Sequence, residues 1–521
     1  MSASAQVEEA PPPGPRPRRP LSGRSLVSAV GINYVGVALL AGTGFFLTPY
    51  MLHVLGRSRF GILLLATAIF SYGSLLDFGL GISVMKLIAD RSDDDDPTHA
   101  RKIISTVMPV YAAIGVAIVV VGIAASPFVA GAFHVRPAEH QIFEDCYWIS
   151  MIGVGLTFPL SVFTAVITGH RDFLLQNRFV IAYALCTALG TVIVLALGYG
   201  VVAVAAIDFV ISVGQFAIKM LVVGRKYGVV FSPRYAERAI LRQLLGFAGW
   251  IFVINVAAML IFETDLVVVG ALLGPAAVAA YQVALSPNTV LRQFGEQFNV
   301  VALTGASALQ ARRQGAAIKR LFLGSTHAAT VLMLPFVIVV AAWGSDFIRL
   351  WVGSRFRGSD TALVCLTIAM VEVGVQGTAA QIIVAHSKHK IIAIATACEA
   401  VANLALSIVL GTQFGITGVA VGTVIPTTVT AFVVALPYAS RITGTRAREL
   451  AAGIGLPALE AIAIVGVLRA LRPALAFHSM PLLLAASAAL FLAFVGVNLL
   501  VLSGERATYR SMVRGRVWGL R

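Results

Sequence analysis

Apolar positions along this 521-residue chain neither alternate nor form a narrow stripe; they come in unbroken runs. The stretch Val27–Tyr50 is almost wholly apolar, and runs like it recur about fourteen times. A helix rises about 1.5 Å per residue, so about 20 apolar residues cross a hydrocarbon layer of about 30 Å. The runs predict spans at 27–50, 60–84, 104–124, 146–168, 178–197, 201–223, 246–271, 276–300, 324–343, 362–385, 391–410, 415–438, 454–470 and 480–502. A soluble domain could not hide so many, because its surface must be polar somewhere. The predicted class is therefore an all-α polytopic membrane protein. Pro109, Pro159, Pro287 and Pro426 fall inside runs, where neighbouring helices can satisfy the backbone groups that proline frees.

Composition sharpens this picture. Only 12% of residues are charged, against roughly 25% in soluble domains. The net charge of +15 does not point to nucleic acid, because the basic residues lie scattered in short loops rather than in one patch. With both termini placed inside, thirty of the 39 Lys and Arg fall on the inner side. Eight fall outside (Arg57, Arg59, Arg136, Arg349, Arg355, Arg357, Arg469 and Arg472), and Arg292 lies within a span. By the positive-inside rule this predicts two cytoplasmic termini and an even number of spans in the cytoplasmic membrane. The outer loops are short, so no extracellular domain is expected. The Pro/Arg-rich segment PPPGPRPRRP reads as a cytoplasmic tail. Cys146, Cys186, Cys365 and Cys398 lack metal-ligand spacing and are expected to be small apolar fillers. No cofactor or metal is expected. Asp93–Asp96 reads as a solvated loop, since adjacent carboxylates diverge and repel.

The chain repeats itself. Val54–Gly56 matches Leu272–Gly274, Gly169–Arg171 matches Ala385–Ser387, and Leu197–Ala205 matches Thr412–Ala420, at offsets of 218, 216 and 215. Six spans per repeat give two halves of the same orientation, related by an axis along the membrane normal and enclosing a central site. The expected organisation is a tail at 1–24, a six-helix lobe at 25–224, a basic cytoplasmic linker at 225–245, a second six-helix lobe at 246–440, two extra helices within 441–502, and a basic tail at 503–521. Two packed bundles that can rock about a shared cavity suit a transporter, and no filter-like stretch of a channel is visible.

Ionisable groups at membrane depth are the candidates for function, because each is costly there. They are Asp77, Asp208, Glu263, Asp265, Arg292, Glu296, Glu372, Glu399 and Glu460. Glu263 and Asp265 are two apart, so on one helix at most one faces a common cavity. Arg292 and Glu296 are four apart and share a face. Arg292 suits an anionic head group such as pyrophosphate, which guanidinium grips with two hydrogen bonds. Glu372 with Gln376, and Glu399 with Asn403, form i, i+4 polar faces suited to inter-helix hydrogen bonds. Arg57 and Arg59 sit at the outer mouth. No nucleotide loop, serine-hydrolase elbow or zinc-protease motif is present, so transport coupled to an ion gradient, or uncoupled, remains.

The segments TPYMLHVLGRSRFGILLLATAI, LLDFGLGISVMKLIA and GFAGWIFVINVAAMLIFETDLVVVGALLGPAAVAAYQVA resemble the polysaccharide-transporter branch of the multidrug/oligosaccharidyl-lipid/polysaccharide exporter superfamily. The resemblance covers about residues 27–440. It implies a V-shaped pair of six-helix lobes with alternating access, and a non-enzymatic flippase for a polyprenyl-linked saccharide. Spans 1, 2, 7 and 8 would line the cavity, which places Asp77, Glu263, Asp265, Arg292 and Glu296 on the favoured helices. Flippases of pyrophosphate lipids tend to carry several cations in the cavity. Here Arg292 is at depth, with Arg57 and Arg59 as helpers at the mouth. Implied partners are membrane lipid, a proton or sodium ion, and glycosyltransferases or polymerases of the cell envelope. A cation-coupled multidrug or metabolite antiporter of the same superfamily stays open, with Glu263 or Asp265 as its ion site. So does a polyprenyl-dependent membrane glycosyltransferase, though the short outer loops lack the paired acids such enzymes present, and so does a scaffold that has lost transport.

Overall fold

The computed structural model describes residues 23–73, 80–89, 97–472 and 477–501. Its regular elements are all helical: α1 (Gly23–Gly73), α2 (Leu80–Ala89), α3 (Thr98–Ala132), α4 (His140–Leu160), α5 (Val162–Gly169), α6 (Phe173–Ala196), α7 (Val201–Tyr227), α8 (Arg238–Phe262), α9 (Thr264–Leu273), α10 (Pro275–Ala311), α11 (Gly315–Val352), α12 (Asp360–Ala385), α13 (His389–Val429), α14 (Leu436–Thr443), α15 (Ala447–Ala470) and α16 (Met480–Val501). Among the described residues nine helical segments are long and apolar enough to cross a membrane, and a tenth arises if α8 and α9 count as one bent span. The count is lower than the expected fourteen partly because expected neighbours merge. Both α1 and α13 run through a break, at Gly56 and Gly415; α13 covers two of the expected spans and counts once, whereas α1, which covers 27–50 and the start of 60–84, is not among the nine.

Those breaks follow from local sequence. Gly56 (φ 77°, ψ 171°) and Gly274 (φ 80°, ψ 176°) adopt nearly the same backbone, in a region closed to side chains with a Cβ. The sequence repeat aligns these two glycines. Four further pairs of left-handed positions repeat, His134 with Gly353, Arg171 with Ser387, Gly198 with Gly415 (where the sequence match set Gly200 against Gly415), and Gly228 with Gly444, while Arg313 has no counterpart among the described residues. Every pair is separated by 216 to 219 residues. The helix ends of the second half thus retrace those of the first. We call the Gly56 and Gly274 end outer, after the distribution of Lys and Arg.

The segment joining the halves is shorter than the expected linker. Helix α7 runs on to Tyr227 and α8 begins at Arg238. The stretch between is tied to the start of α3. Arg101 Nε donates to the Gly228 carbonyl at 2.7 Å, the Glu237 amide donates to Thr106 Oγ1 at 2.9 Å, and Lys102 pairs with Glu237 at 2.7 Å. Helices α15 and α16 pack on α11, with His327 Nδ1 against the Gly453 carbonyl at 2.8 Å and Arg349 donating to the Phe477 carbonyl at 2.6 Å. The four cysteines are free.

Candidate functional site

Span 7 is discontinuous. Helices α8 and α9 meet at Glu263 with a bend of 44°, and the Glu263 amide still donates to the Met259 carbonyl at 2.9 Å. The two acids flanking the break go separate ways, as their two-residue spacing predicts. Glu263 is half-buried within electrostatic reach of Arg292. Arg292 Nη1 donates to Glu296 Oε1 at 3.2 Å, and its guanidinium stacks 4.7 Å from the centre of the Phe262 ring. The break therefore carries a charged group drawn from α8 to α10: Glu263, Arg292 and Glu296 over the face of Phe262. This group is accessible, since the side chains of Arg292 and Glu296 are 27% and 49% exposed. Arg292 lies 17 residues beyond the start of α10, or about 25 Å along a helix. Charged side chain types are costly in contact with lipid.

Asp265 belongs to a different environment. It is 4% exposed and points into the second half. Tyr281 Oη and Thr423 Oγ1 both donate to its Oδ2, at 2.5 and 3.0 Å. Its Oδ1 is buried without a hydrogen-bond partner, although Ser407 lies beside it with its hydroxyl turned to the Val419 carbonyl at 3.2 Å. Asp265 thus does not share the open space of Arg292. Nearby helices hold two further carboxylates. Thr428 Oγ1 is 2.9 Å from both oxygens of Glu372, and Gln376 Nε2 donates to Glu399 Oε2 at 3.1 Å. The expected i, i+4 polar faces therefore meet across α12 and α13, while Asn403 remains buried with both side-chain heteroatoms unpartnered.

Arg57 and Arg59 lie apart from this group. Arg57 reaches from the outer turn of α1 to the second half, where it donates to the Arg355 carbonyl and stacks 4.2 Å from the Phe356 ring. Arg59 is exposed. Arg57 is one part of a closure between the outer ends of the two halves. Phe45 stacks on Trp351 at 5.3 Å, and Trp351 Nε1 donates to the Phe45 carbonyl at 2.7 Å. Gly61 of α1 lies so close to the start of α10 that a Cβ there would stand 1.8 Å from the Pro275 carbonyl oxygen. Asp77 and the Asp93–Asp96 run lie outside the described residues.

Some side-chain contacts were invisible in the sequence. Asp208 accepts from Tyr183 Oη at 2.7 Å, and Glu460 accepts from Asn498 Nδ2 at 2.8 Å. Lys219, counted with the inner basic residues, is instead 4% exposed inside the first half. It donates to Thr164 Oγ1 at 3.1 Å and lies 4.8 Å from the Phe216 ring.

A family described as polysaccharide biosynthesis protein matches residues 51–361. A Shigella flexneri protein assigned as an O-antigen transporter is 22% identical over 387 residues, which is 70% of this chain and 86% of that protein. Among solved structures, a lipid II flippase, MurJ, in an inward closed conformation superposes with a TM-score of 0.70 at 13% identity, covering 90% of this chain and 98% of that one. An inward-facing multidrug-resistance transporter of the MATE family superposes with a TM-score of 0.62 at 16% identity, covering 80% of this chain and 98% of that one.

Proposed function

Because the chain belongs to the polysaccharide biosynthesis protein family, within the polysaccharide-transporter branch of the exporter superfamily named above, and is a multi-pass membrane transporter rather than an enzyme, we propose that it flips a polyprenyl-linked saccharide from the inner to the outer leaflet of the cytoplasmic membrane. The two halves act as two lobes, 25–224 and 246–440, that rock by alternating access, with both termini inside. The observation that carries this reading is the open charged group at the broken span 7. Glu263 and Glu296 hold Arg292 in place, and water at that depth gives a sugar a polar path while the lipid tail stays in the bilayer. Arg292 faces the phosphate of the carrier, where its planar donors grip two oxygens. The joined outer ends, from Phe45 and Trp351 to Arg57 and Phe356, are the closed outer gate of that cycle. Envelope glycosyltransferases or polymerases would act before and after the flip.

Asp265 supports a second element, coupling to a cation. A buried carboxylate with one unpartnered oxygen among hydroxyls suits a proton or a bare sodium ion. Its partners Tyr281 and Thr423 come from α10 and α13, so occupancy there would bear on how those helices pack.

The test is translocation of a fluorescent polyprenyl-pyrophosphate oligosaccharide in liposomes containing the purified protein. The wild type is expected to move it. Arg292→Ala should reduce the rate by roughly tenfold or more, the worth of one bidentate charged contact, without loss of the folded peak on size exclusion. A protein that exports small cations yet moves no lipid-linked saccharide would overturn the reading in favour of the antiporter.

A further inference from the structure

A cavity separate from the Arg292 group opens where α14 turns into α15. Its volume is about 510 Å³, within the roughly 300–1,000 Å³ of small-ligand pockets. Phe432, Leu436, Leu450 and Ile454 form its apolar wall. The chain makes room for it just before α14, where Thr430–Ala435 winds as a wider π-helix, a local irregularity that often marks a functional position.

The polar end of this cavity is built for an anion. Arg441 lines it, is exposed, and has no carboxylate within salt-bridge distance among the described residues. Ser440 also lines it, and its hydroxyl oxygen is buried without a hydrogen-bond partner. Ala447, the first residue of α15, completes that end and brings a helix N-terminus, which favours negative charge. The acid in the first turn of α15 does not oppose this. Glu449 is held by Lys319 at 2.7 Å and by the Arg446 amide at 2.8 Å.

We propose that this cavity binds an anionic phospholipid of the inner leaflet, with the phosphate on Arg441, Ser440 and the start of α15 and an acyl chain along Leu436, Leu450 and Ile454. One apolar wall ending in an unpaired cation and a free hydroxyl matches an amphiphile with a phosphate at the junction. It does not match the chain's own C-terminal segment, whose Arg506, Arg510, Arg514, Arg516 and Arg521 would meet Arg441 with like charge. The inner leaflet is where anionic lipids concentrate beside basic segments. The site is separate from the Arg292 group, and its test reads binding rather than transport, so either reading can fail alone.

The experiment is native mass spectrometry of the full-length protein in detergent, titrated with phosphatidylglycerol or phosphatidylcholine. The wild type should retain phosphatidylglycerol in preference to phosphatidylcholine. Arg441→Gln should weaken that retention by roughly tenfold, the worth of one charge-assisted contact. Leu450→Trp should do so by filling the wall. If Leu450→Trp does not fold, Arg441→Gln decides, since Arg441 is exposed and makes no ion pair among the described residues. Equal retention of the two lipids, or unchanged retention by Arg441→Gln, overturns the proposal. Displacement by millimolar inorganic phosphate would make this a free-anion site, and binding seen only after removal of 503–521 would assign it to the tail; both outcomes overturn it.

Discussion

Replacing Gly61 by alanine is expected to open the outer ends of the two halves. The Cβ would stand 1.8 Å from the Pro275 carbonyl oxygen and 2.5 Å from its carbon. Both neighbours are backbone atoms at the start of a helix, so no side chain can rotate aside. Ordinary contact requires α1 and α10 to separate by about 1.5 Å, and overpacking of this kind costs about 1–3 kcal/mol. If the closure is one of two states, that penalty falls on the closed state alone. At about 1.4 kcal/mol per factor of ten, the ratio of closed to open falls about 5- to 150-fold.

Spin labels at Val54 and Ser354, both exposed and one on each side of the closure, would report the change by pulsed electron paramagnetic resonance in liposomes. Gly61→Ala should add a population at longer distance. Gly44→Ala is the matched control, because nothing lies within 4 Å of a Cβ there. Both substitutions gain the same helix propensity, about 1 kcal/mol, so their difference isolates the contact with Pro275. Two results refute the reasoning. An unchanged distance distribution with an unchanged Tm would mean that the contact does not hold the ends together. A lowered Tm with no longer distance would mean that the closure is fixed packing rather than a gate.

Two further substitutions test the supporting structure. Asp172 caps α6 through the Leu175 amide at 3.2 Å and accepts from Lys226 and from Tyr227 Oη at 2.7 Å. Burial pushes its pKa up, but the hydrogen bonds from Lys226, Tyr227 and Leu175 outweigh that and leave the carboxyl below its ordinary 3.8. A depressed folded pKa stabilises above the unfolded value and is lost as the pH falls through the folded one. The Tm advantage of wild type over Asp172→Asn should therefore be full at neutral pH and shrink below about pH 4; a constant gap would refute it. Lys219→Met removes a buried charge that has no carboxylate partner among the described residues, so Tm should hold or rise. A fall of more than about 1 °C, near 1 kcal/mol for a chain of this size, would show that the Thr164 and Phe216 contacts stabilise more than the buried charge destabilises.

Helices were legible in this sequence because a bilayer demands long apolar runs, and such runs need no partner to be recognised. The turns at Gly56 and Gly274 were legible too, since a repeated Leu-Gly ahead of a new run marks a position that only glycine adopts easily. So was the pairing of Arg292 with Glu296, because four-residue spacing on a helix fixes the neighbour. The break at Glu263 was not, for Phe262–Asp265 holds neither Gly nor Pro, the usual local causes of a bend. The partners of Asp265 were not legible either: they lie 16 and 158 residues away, and only the packing of α9 against α10 and α13 brings them together.

Arg57 shows most clearly what spacing could not supply. Its charge and its place beside an outer turn suggested a helper for an anionic cargo. Its actual partners are the Arg355 carbonyl, 298 residues away, and the Phe356 ring. One of its five N–H donors is taken by that carbonyl, and the Phe356 ring covers one face of the guanidinium. Arg57 can meet cargo only when the outer ends have parted and those contacts have broken. Arg292, by contrast, is partly exposed while the ends are joined. In the proposed cycle the two cations would serve opposite phases, Arg292 while the outer side is shut and Arg57 once it opens.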